Sequence, residues 1–368
     1  MHQIKNDLKY QIALTRISGI GNITAKTLIN HCGNAEAVFN AKKKDLTSIS
    51  TIGDFVANAV QNANVEELSK YSIDQLSKHR SVKPIFYTDE DYPQRLKHHD
   101  ASPLLLYADG SADLNAHRTV AIIGTRNCTE YGVMQCERLV EGLKEYGVQI
   151  ISGLAYGIDG CAHRKAVKIG ISNLAILGSG LDVIYPPSHD KLAQKIKTNG
   201  AIISQFDFGT GPDRQNFPIR NQVVAAMSDV VVVIQSKKSG GSMITAEYAN
   251  NMNKDVFAIP GRIGDEVSEG CNNLIKQHKA NLLQTAKDIG YVMRWEPQEK
   301  VEAQLRLFEE LNESERTIVE VLKKKDAIDI DTLHFTLERP LSMLSSQLLS
   351  LEFKGIVKSL PGKRYALI

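Results

Sequence analysis

The sequence lacks an apolar run of membrane-spanning type: no stretch approaches the ~18 residues such a helix needs. Its opening, MHQIKNDLKYQIAL, has no apolar run of signal-peptide type either. Charge of one sign is not in excess, with 44 Lys and Arg against 42 Asp and Glu. That balance announces no polyanion-binding tail, although a local basic patch fits inside a neutral total. Cysteine is sparse: the five, at 32, 128, 136, 161 and 271, form no CxxC pair. An odd count at wide spacing argues against a disulfide framework or a zinc site and for reduced thiols in a cytoplasm. Low-complexity segments and repeat arrays are missing too. What remains is ordinary globular composition, 42% apolar and 23% charged over 368 residues. That length buries a sizeable core and allows about two or three domains. The expectation is a cytoplasmic protein with no membrane partner.

Residues 1–80 read as a helical domain. ISGIGNITAKTLI, residues 17–29, places Gly19 and Gly21 around an isoleucine before a periodic apolar helix. This is how a helix-hairpin-helix reads: glycines let the backbone approach a phosphate, and the next helix offers N–H groups. A weaker echo, ISTIGDFVANAV, follows at 49–60. The same pattern also suits a plain helix pair packed on its neighbour. Residues 82–114 are irregular, broken by Pro84, Pro93 and Pro103.

From Arg118 the runs TVAIIG, VQIIS, NLAILG, AIISQ, DVVVVI and DVFAIP alternate with helical patterns at 130–146, 158–169, 189–199, 217–227 and 243–252. Buried β runs alternating with helices imply an α/β domain with a Rossmann-like, doubly wound parallel sheet over 81–295. A charged linker, 296–310, leads to a domain at 311–368. There NESERTIVEVLKKK begins a helix with an N-cap signal at Ser314. Helices at 330–337 and 341–353 follow, then two strands joined at Pro361-Gly362. Three helices and a hairpin of this size read as a winged helix. Its third helix carries one cation, Lys354, at its end. Groove-reading helices need more positive charge, so a protein contact is favoured over duplex reading.

Chemistry in such a sheet gathers beyond the carboxyl ends of the strands. Here those ends are small and polar: Gly124-Thr125-Arg126-Asn127, Ser152-Gly153, Gly178-Ser179-Gly180, and Lys237-Lys238-Ser239-Gly240-Gly241-Ser242. Small residues before helix N-termini cradle anions, and Arg126 and Arg220 offer bidentate phosphate contacts. Arg126 in particular has no place in a core. Neither GxGxxG nor GxxxxGK[ST] occurs, which excludes the usual dinucleotide and P-loop fingerprints. An enzyme reading survives in SGGSMITAEYA, where a glycine-rich loop and Glu247 would process a nucleotide or nucleoside. In SGLAYGIDGCAHRKA, Asp159 and His163 share a helix face. No further ligand or nucleophile completes a site around them. Their favoured role is to hold the helix that begins at Ile158.

The ordered set GTRNCTEYG, SGLAYGIDGCAH, LGSGLDVIYP, FPIRNQVVAAMSDVVVVIQ, SGGSMITAEYA and IPGRIGDEVSEGCNNLI resembles the DNA-processing protein A (DprA/Smf) family. The motifs cover about residues 93–276, and DYPQRL and SPLLLYADG match the family's lead-in. The resemblance implies a factor of natural transformation and competence. Such a protein binds and protects incoming single-stranded DNA, helps load the RecA recombinase, and works as a homodimer through the Rossmann-like domain. It implies no catalysis, cofactor or metal. It also implies flanking SAM-like and winged-helix domains. By motif, DNA-contacting cations fall on Arg126, Arg220 and Lys276. The candidate DNA-binding set is Gly124, Arg126, Gly153, Lys191, Phe217, Arg220, Asn221, Ser239, Gly240, Gly241, Ser242 and Lys276. The chain departs from the family at Thr125 (serine favoured), Gln205 (glutamate), Gln222 (arginine) and His278-Lys279 (glycine). Gln222 removes one possible phosphate contact, and the last pair alters the rim.

Overall fold

The valine- and isoleucine-rich runs form the sheet they imply, with three further strands at its margins. In the computed structural model, residues 7–298, 311–323, 327–354 and 356–367 are described. Residues 299–310 of the expected linker, Gly355 at the start of the expected hairpin, and Ile368 lie outside the described residues. The chain divides into two compact units, Met1–Trp295 and Glu296–Ile368.

In the first unit the strands are β1 (Val82–Phe86), β2 (Leu105–Gly110), β3 (Thr119–Ile123), β4 (Gln149–Ser152), β5 (Asn173–Ile176), β6 (Gly200–Ser204), β7 (Val230–Val233), β8 (Asp255–Ala258) and β9 (Asn281–Leu282). They pair in the order β1-β2-β6-β5-β4-β3-β7-β8-β9. From β6 to β9 all neighbours are parallel. β1 and β2 extend the β6 edge as antiparallel strands, in a stretch whose sequence reads as irregular. Pro84 sits within β1, the outermost strand, where a missing N–H costs least.

Six helices precede the sheet: α1 (Leu8–Arg16), α2 (Asn22–Cys32), α3 (Ala35–Asn40), α4 (Lys43–Thr47), α5 (Asp54–Gln61) and α6 (Val65–Lys78). The internal duplication is visible in the backbone. Gly21 and Gly53 each cap the following helix, at φ −86°, ψ 174° and φ −89°, ψ 174°. Gly19, at φ +83°, has no room for a side chain: a Cβ there would lie 2.5 Å from the Phe55 ring. The first hairpin packs on its neighbour. Lys26 donates to Asp100 O at 2.9 Å and Ser102 Oγ at 2.7 Å, and Asn22 to Ala101 O at 3.1 Å.

No packing boundary falls at residue 80. One apolar cluster joins Leu14 and Leu28 of the helices to Leu105 and Ile202 of the sheet. A polar knot reinforces it. Arg16 Nε donates to Asp207 Oδ2 at 2.8 Å, while Ser72 Oγ and Tyr107 Oη donate to Asp207 Oδ1 at 3.0 and 2.8 Å.

The later helices are α7 (Gln94–Lys97), α8 (Glu130–Leu143), α9 (Ile158–Ile169), α10 (Asp190–Lys197), α11 (Asn216–Met227), α12 (Gly241–Asn251), α13 (Glu269–Lys276) and α14 (Ala286–Met293). Alternate strand residues serve opposite faces. Val120, Ile122, Val230 and Val232 pack with α8, α9 and α14; Ala121, Ile123, Val231 and Val233 pack with α11, α12 and α13. Full burial of each valine or isoleucine contributes about 1.5–3 kcal/mol. This two-faced burial is why these strands read as unbroken apolar runs.

The second unit holds α15 (Glu313–Leu322), α16 (Ile330–Leu337) and α17 (Leu341–Phe353), with strands β10 (Ile328–Asp329), β11 (Val357–Leu360) and β12 (Arg364–Leu367) in the order β10-β12-β11. The N-cap of α15 is Asn312, not Ser314: its side chain accepts from Glu315 N at 2.8 Å, and Glu315 accepts in return from Asn312 N at 3.0 Å. Lys354 does not stand free at the end of α17, because it pairs with buried Glu315 at 2.7 Å.

One contact fastens α9 to the sheet. His163 is fully buried, and its Nδ1 lies 2.8 Å from Asn173 Oδ1. The Asn173 amide nitrogen donates elsewhere, to Ile171 O, so the imidazole donates here. Its Nε2 has no hydrogen-bond partner, and burial lowers its pKa from 6.5 to about 4. Below pH 6.5 the unfolded chain therefore binds a proton that the native fold refuses, and stability falls as pH drops toward about 4. Between pH 7 and pH 5 this linkage removes about 2 kcal/mol. Urea unfolding followed by Trp295 fluorescence should show that loss in the wild type and a smaller one in His163→Gln. Equal losses in the two would show that His163 is not the proton acceptor.

Candidate nucleic-acid interface

β3 and β7 are neighbours, but the chain leaves them toward opposite edges of the sheet. A cleft of about 300 Å³ opens beyond their carboxyl ends, where open parallel sheets take their ligands. The turn after β3 contributes Gly124, Thr125 and Arg126. The first turns of α11 contribute Phe217, Arg220 and Asn221. The segment from β7 into α12 contributes Ser236, Lys237, Ser239, Gly240, Gly241 and Ser242.

The turn after β3 is pinned by Gln235, just past β7. Thr125 N donates to its carbonyl at 2.8 Å. Its side-chain amide accepts from Thr129 N at 3.0 Å and donates to Thr129 Oγ1 at 2.9 Å. Thr129 Oγ1 in turn caps α8, accepting from Gly132 N at 3.2 Å. Only glycine at 132 leaves room for that amide, since a Cβ would fall 2.1 Å from Gln235 Oε1.

Held in this way, Arg126 stays exposed, with its guanidinium carbon 5.3 Å from the centre of the Phe217 ring. The Arg220 guanidinium lies 5.9 Å from the same ring. α12 begins without a side-chain cap, so its leading N–H groups bring the positive end of the helix dipole to the cleft wall. Ser236 and Ser242 hydroxyls, 2.8 Å apart, close that wall. Three cations line the cleft, Arg126, Arg220 and Lys237, against one carboxylate, that of Asp159. Lys237 pairs with Glu266 at 2.7 Å on the outer surface.

Two placements differ from the sequence expectation. Arg220 is a buried clamp rather than a wholly free fork. Its Nη1 donates to the carbonyls of Gly153 and Ile176, the latter at 2.6 Å, and its Nε to Asn221 Oδ1 at 3.0 Å. Gly153 does permit a close approach, but the group that approaches is Arg220: a Cβ would lie 2.3 Å from Nη1. Asp159 is buried and accepts from Gly153 N at 3.2 Å and Ala155 N at 3.4 Å. Burial raises its pKa, and the nearby Arg220 charge opposes that rise. Burial likewise lowers the pKa of Arg220, opposed by Asp159.

The structure thus brings Gly124, Arg126, Phe217, Arg220, Asn221 and the 239–242 loop to one cleft, with Gly153 behind it. Lys191, on the first turn of α10, and Lys276, on the last turn of α13, are exposed and do not line it. Glu247 is exposed on α12 and does not line it either. Lys237 and Thr125 are wall residues that the candidate set omits. Their signal was the polar strand end itself. Among the described residues no group of three or more His, Cys, Asp and Glu is placed to hold a metal.

The sequence model described as DNA recombination-mediator protein A matches residues 83–294, and that of the DprA winged helix domain matches residues 304–363. The X-ray structure of DNA processing protein A from Streptococcus pneumoniae superposes with a TM-score of 0.67 at 32% identity, covering 78% of this chain and 98% of that one. The protein Smf of Synechocystis is 34% identical over 275 residues, 72% of this chain and 68% of its own length. DNA processing protein A from Helicobacter pylori, whose structure addresses its single-stranded DNA binding mode, is 29% identical with a TM-score of 0.53, over 58% of this chain and 97% of that one. With a family model spanning more than half its length and a winged-helix model matching its end, the chain belongs to the DprA family of DNA recombination-mediator proteins.

Proposed function

We propose that this protein binds single-stranded DNA in the cleft without turning it over, shields the strand during natural transformation, and passes it to RecA. The observation that carries this reading is the cleft itself: three cations and an uncapped helix N-terminus around an aromatic ring, with one buried carboxylate. Such a surface draws phosphates and tolerates any base sequence. The Helicobacter pylori relative, a single-stranded DNA binder, supports the same reading. Arg126 makes the direct phosphate contact. Arg220 adds potential from below, and the 239–242 loop supplies N–H donors. Lys191 and Lys276 continue the basic path outside the cleft. The protein acts in the cytoplasm as a homodimer.

The winged helix serves a protein partner. On its third helix Lys354 is neutralised by Glu315, and Leu341, Met343, Leu349 and Phe353 are exposed.

Arg126→Ala should weaken oligothymidylate binding about 10- to 100-fold, the loss of one charge-assisted contact, with unfolding unchanged. It should also flatten the log–log salt dependence by about 0.7. Arg220→Met should instead lower stability by about 2–4 kcal/mol, because it strips two buried carbonyls and strands Asp159. Anisotropy titrations at several salt concentrations and urea melts on both variants separate the two roles. An Arg126→Ala protein that binds like the wild type would mean that the strand lies elsewhere.

Glu247→Gln should leave oligonucleotide affinity unchanged, and neither it nor the wild type should release base or phosphate from nucleotides, with or without divalent metal. Product from the wild type alone would establish the enzyme reading. A chain ending at residue 298 should keep single-strand affinity within about threefold, less than the 1.4 kcal/mol of a tenfold change. A larger loss in the same anisotropy titration would show that the winged helix grips DNA.

A further inference from the structure

The turn between β4 and α9 holds an aromatic ring that belongs to none of the apolar clusters. Tyr156 is 45% exposed. Its ring meets His189 edge-on, with centroids 5.5 Å apart at 61°. His189 is itself buried and fixed: Nδ1 donates to Leu154 O at 2.9 Å, and Nε2 accepts from Arg164 Nη1 at 3.3 Å. The tyrosine is therefore supported from one side by an imidazole that has no freedom to turn.

Its neighbours in sequence tie it to the cleft. Ala155 lines the cleft. Gly157, at φ +73°, lies against the backbone of the Arg126 turn: a Cβ would fall 2.2 Å from Thr125 O and 2.5 Å from Arg126 O. Tyr156 thus stands between a cleft-lining residue and the glycine packed on the turn that carries the exposed guanidinium. A single strand alternates phosphates with bases. Once Arg126 and the α12 N-terminus take phosphates, the adjoining base needs an apolar, flat surface. Phe217 already has a guanidinium within 6 Å of its ring centre from both Arg126 and Arg220, at 5.3 and 5.9 Å.

We propose that Tyr156 is the stacking platform for one base of the bound strand, next to the phosphate held by Arg126. This rests on the single-strand reading of the cleft and adds a base-binding position outside it. Any base suits the platform, because each presents a π face.

The test compares wild type, Tyr156→Ala, Tyr156→Phe and Arg126→Ala on a short oligothymidylate and on an abasic strand of equal length. Anisotropy is read at several low salt concentrations, with a thermal melt of each variant. Tyr156→Ala should bind the base-bearing strand about tenfold more weakly and the abasic strand as the wild type does. Tyr156→Phe should retain wild-type affinity, and the salt slope should be unchanged in both tyrosine variants. Equal loss on both strands, a changed slope, or no loss on the base-bearing strand would overturn the proposal. If Arg126→Ala loses affinity while Tyr156→Ala does not, only the stacking role falls. If the wild type ignores both strands, the single-strand reading falls with it.

Discussion

Gly153 is held through both of its peptide groups, and the site depends on that grip. Asp159 accepts its N–H, while the buried Arg220 donates to its carbonyl. The same Arg220 nitrogen reaches Ile176 O, so one guanidinium ties the ends of β4 and β5 to α11. A buried charge is tolerable only when hydrogen-bonded and compensated. Two carbonyls, the Asn221 side chain and the potential of Asp159 meet that need. Glycine at 153 follows from this geometry, since any side chain would occupy the guanidinium's place.

Two arginines of the same cleft therefore do different work. Arg126 sits in an exposed turn whose backbone is anchored by Gln235 and Gly157. Arg220 sits below, with its Nε and Nη1 donors taken up by protein. The lower one stiffens the floor and adds positive potential, and the upper one stays free to meet an anion. A cleft whose backbone is already fixed loses little entropy when it takes a ligand.

The flanking segments are attached in contrasting ways. The N-terminal helices share an apolar cluster with the sheet and are locked to it through the Arg16–Asp207 contact, where Ser72 and Tyr107 complete the acceptor's partners. The winged helix forms its own unit around Leu333, Leu344 and Leu348. Its surface leaves Phe335 and Phe353 at 79% and 85% exposure.

Much of this was legible in residue order alone. The six central strands were, because strands buried on both faces cannot avoid continuous apolar runs. The helix at 158–169 coincides with α9, and two of the four small, polar strand ends, those at 124–126 and 239–242, line the cleft. β1 and β2 were not legible, since Pro84 and Pro103 mask strands whose only support is the edge they join. Nor was β9, two residues long. The N-cap of α15 was displaced by two residues because Asn312 and Glu315 satisfy each other. Residue type and local spacing determined which elements form and where small, polar strand ends gather. Only the tertiary structure decided that Arg220 is a buried clamp and that Arg126 stays exposed at the cleft. The carbonyls that capture Arg220 lie 67 and 44 positions away in the chain, and desolvation acts through spatial neighbours that no local pattern encodes.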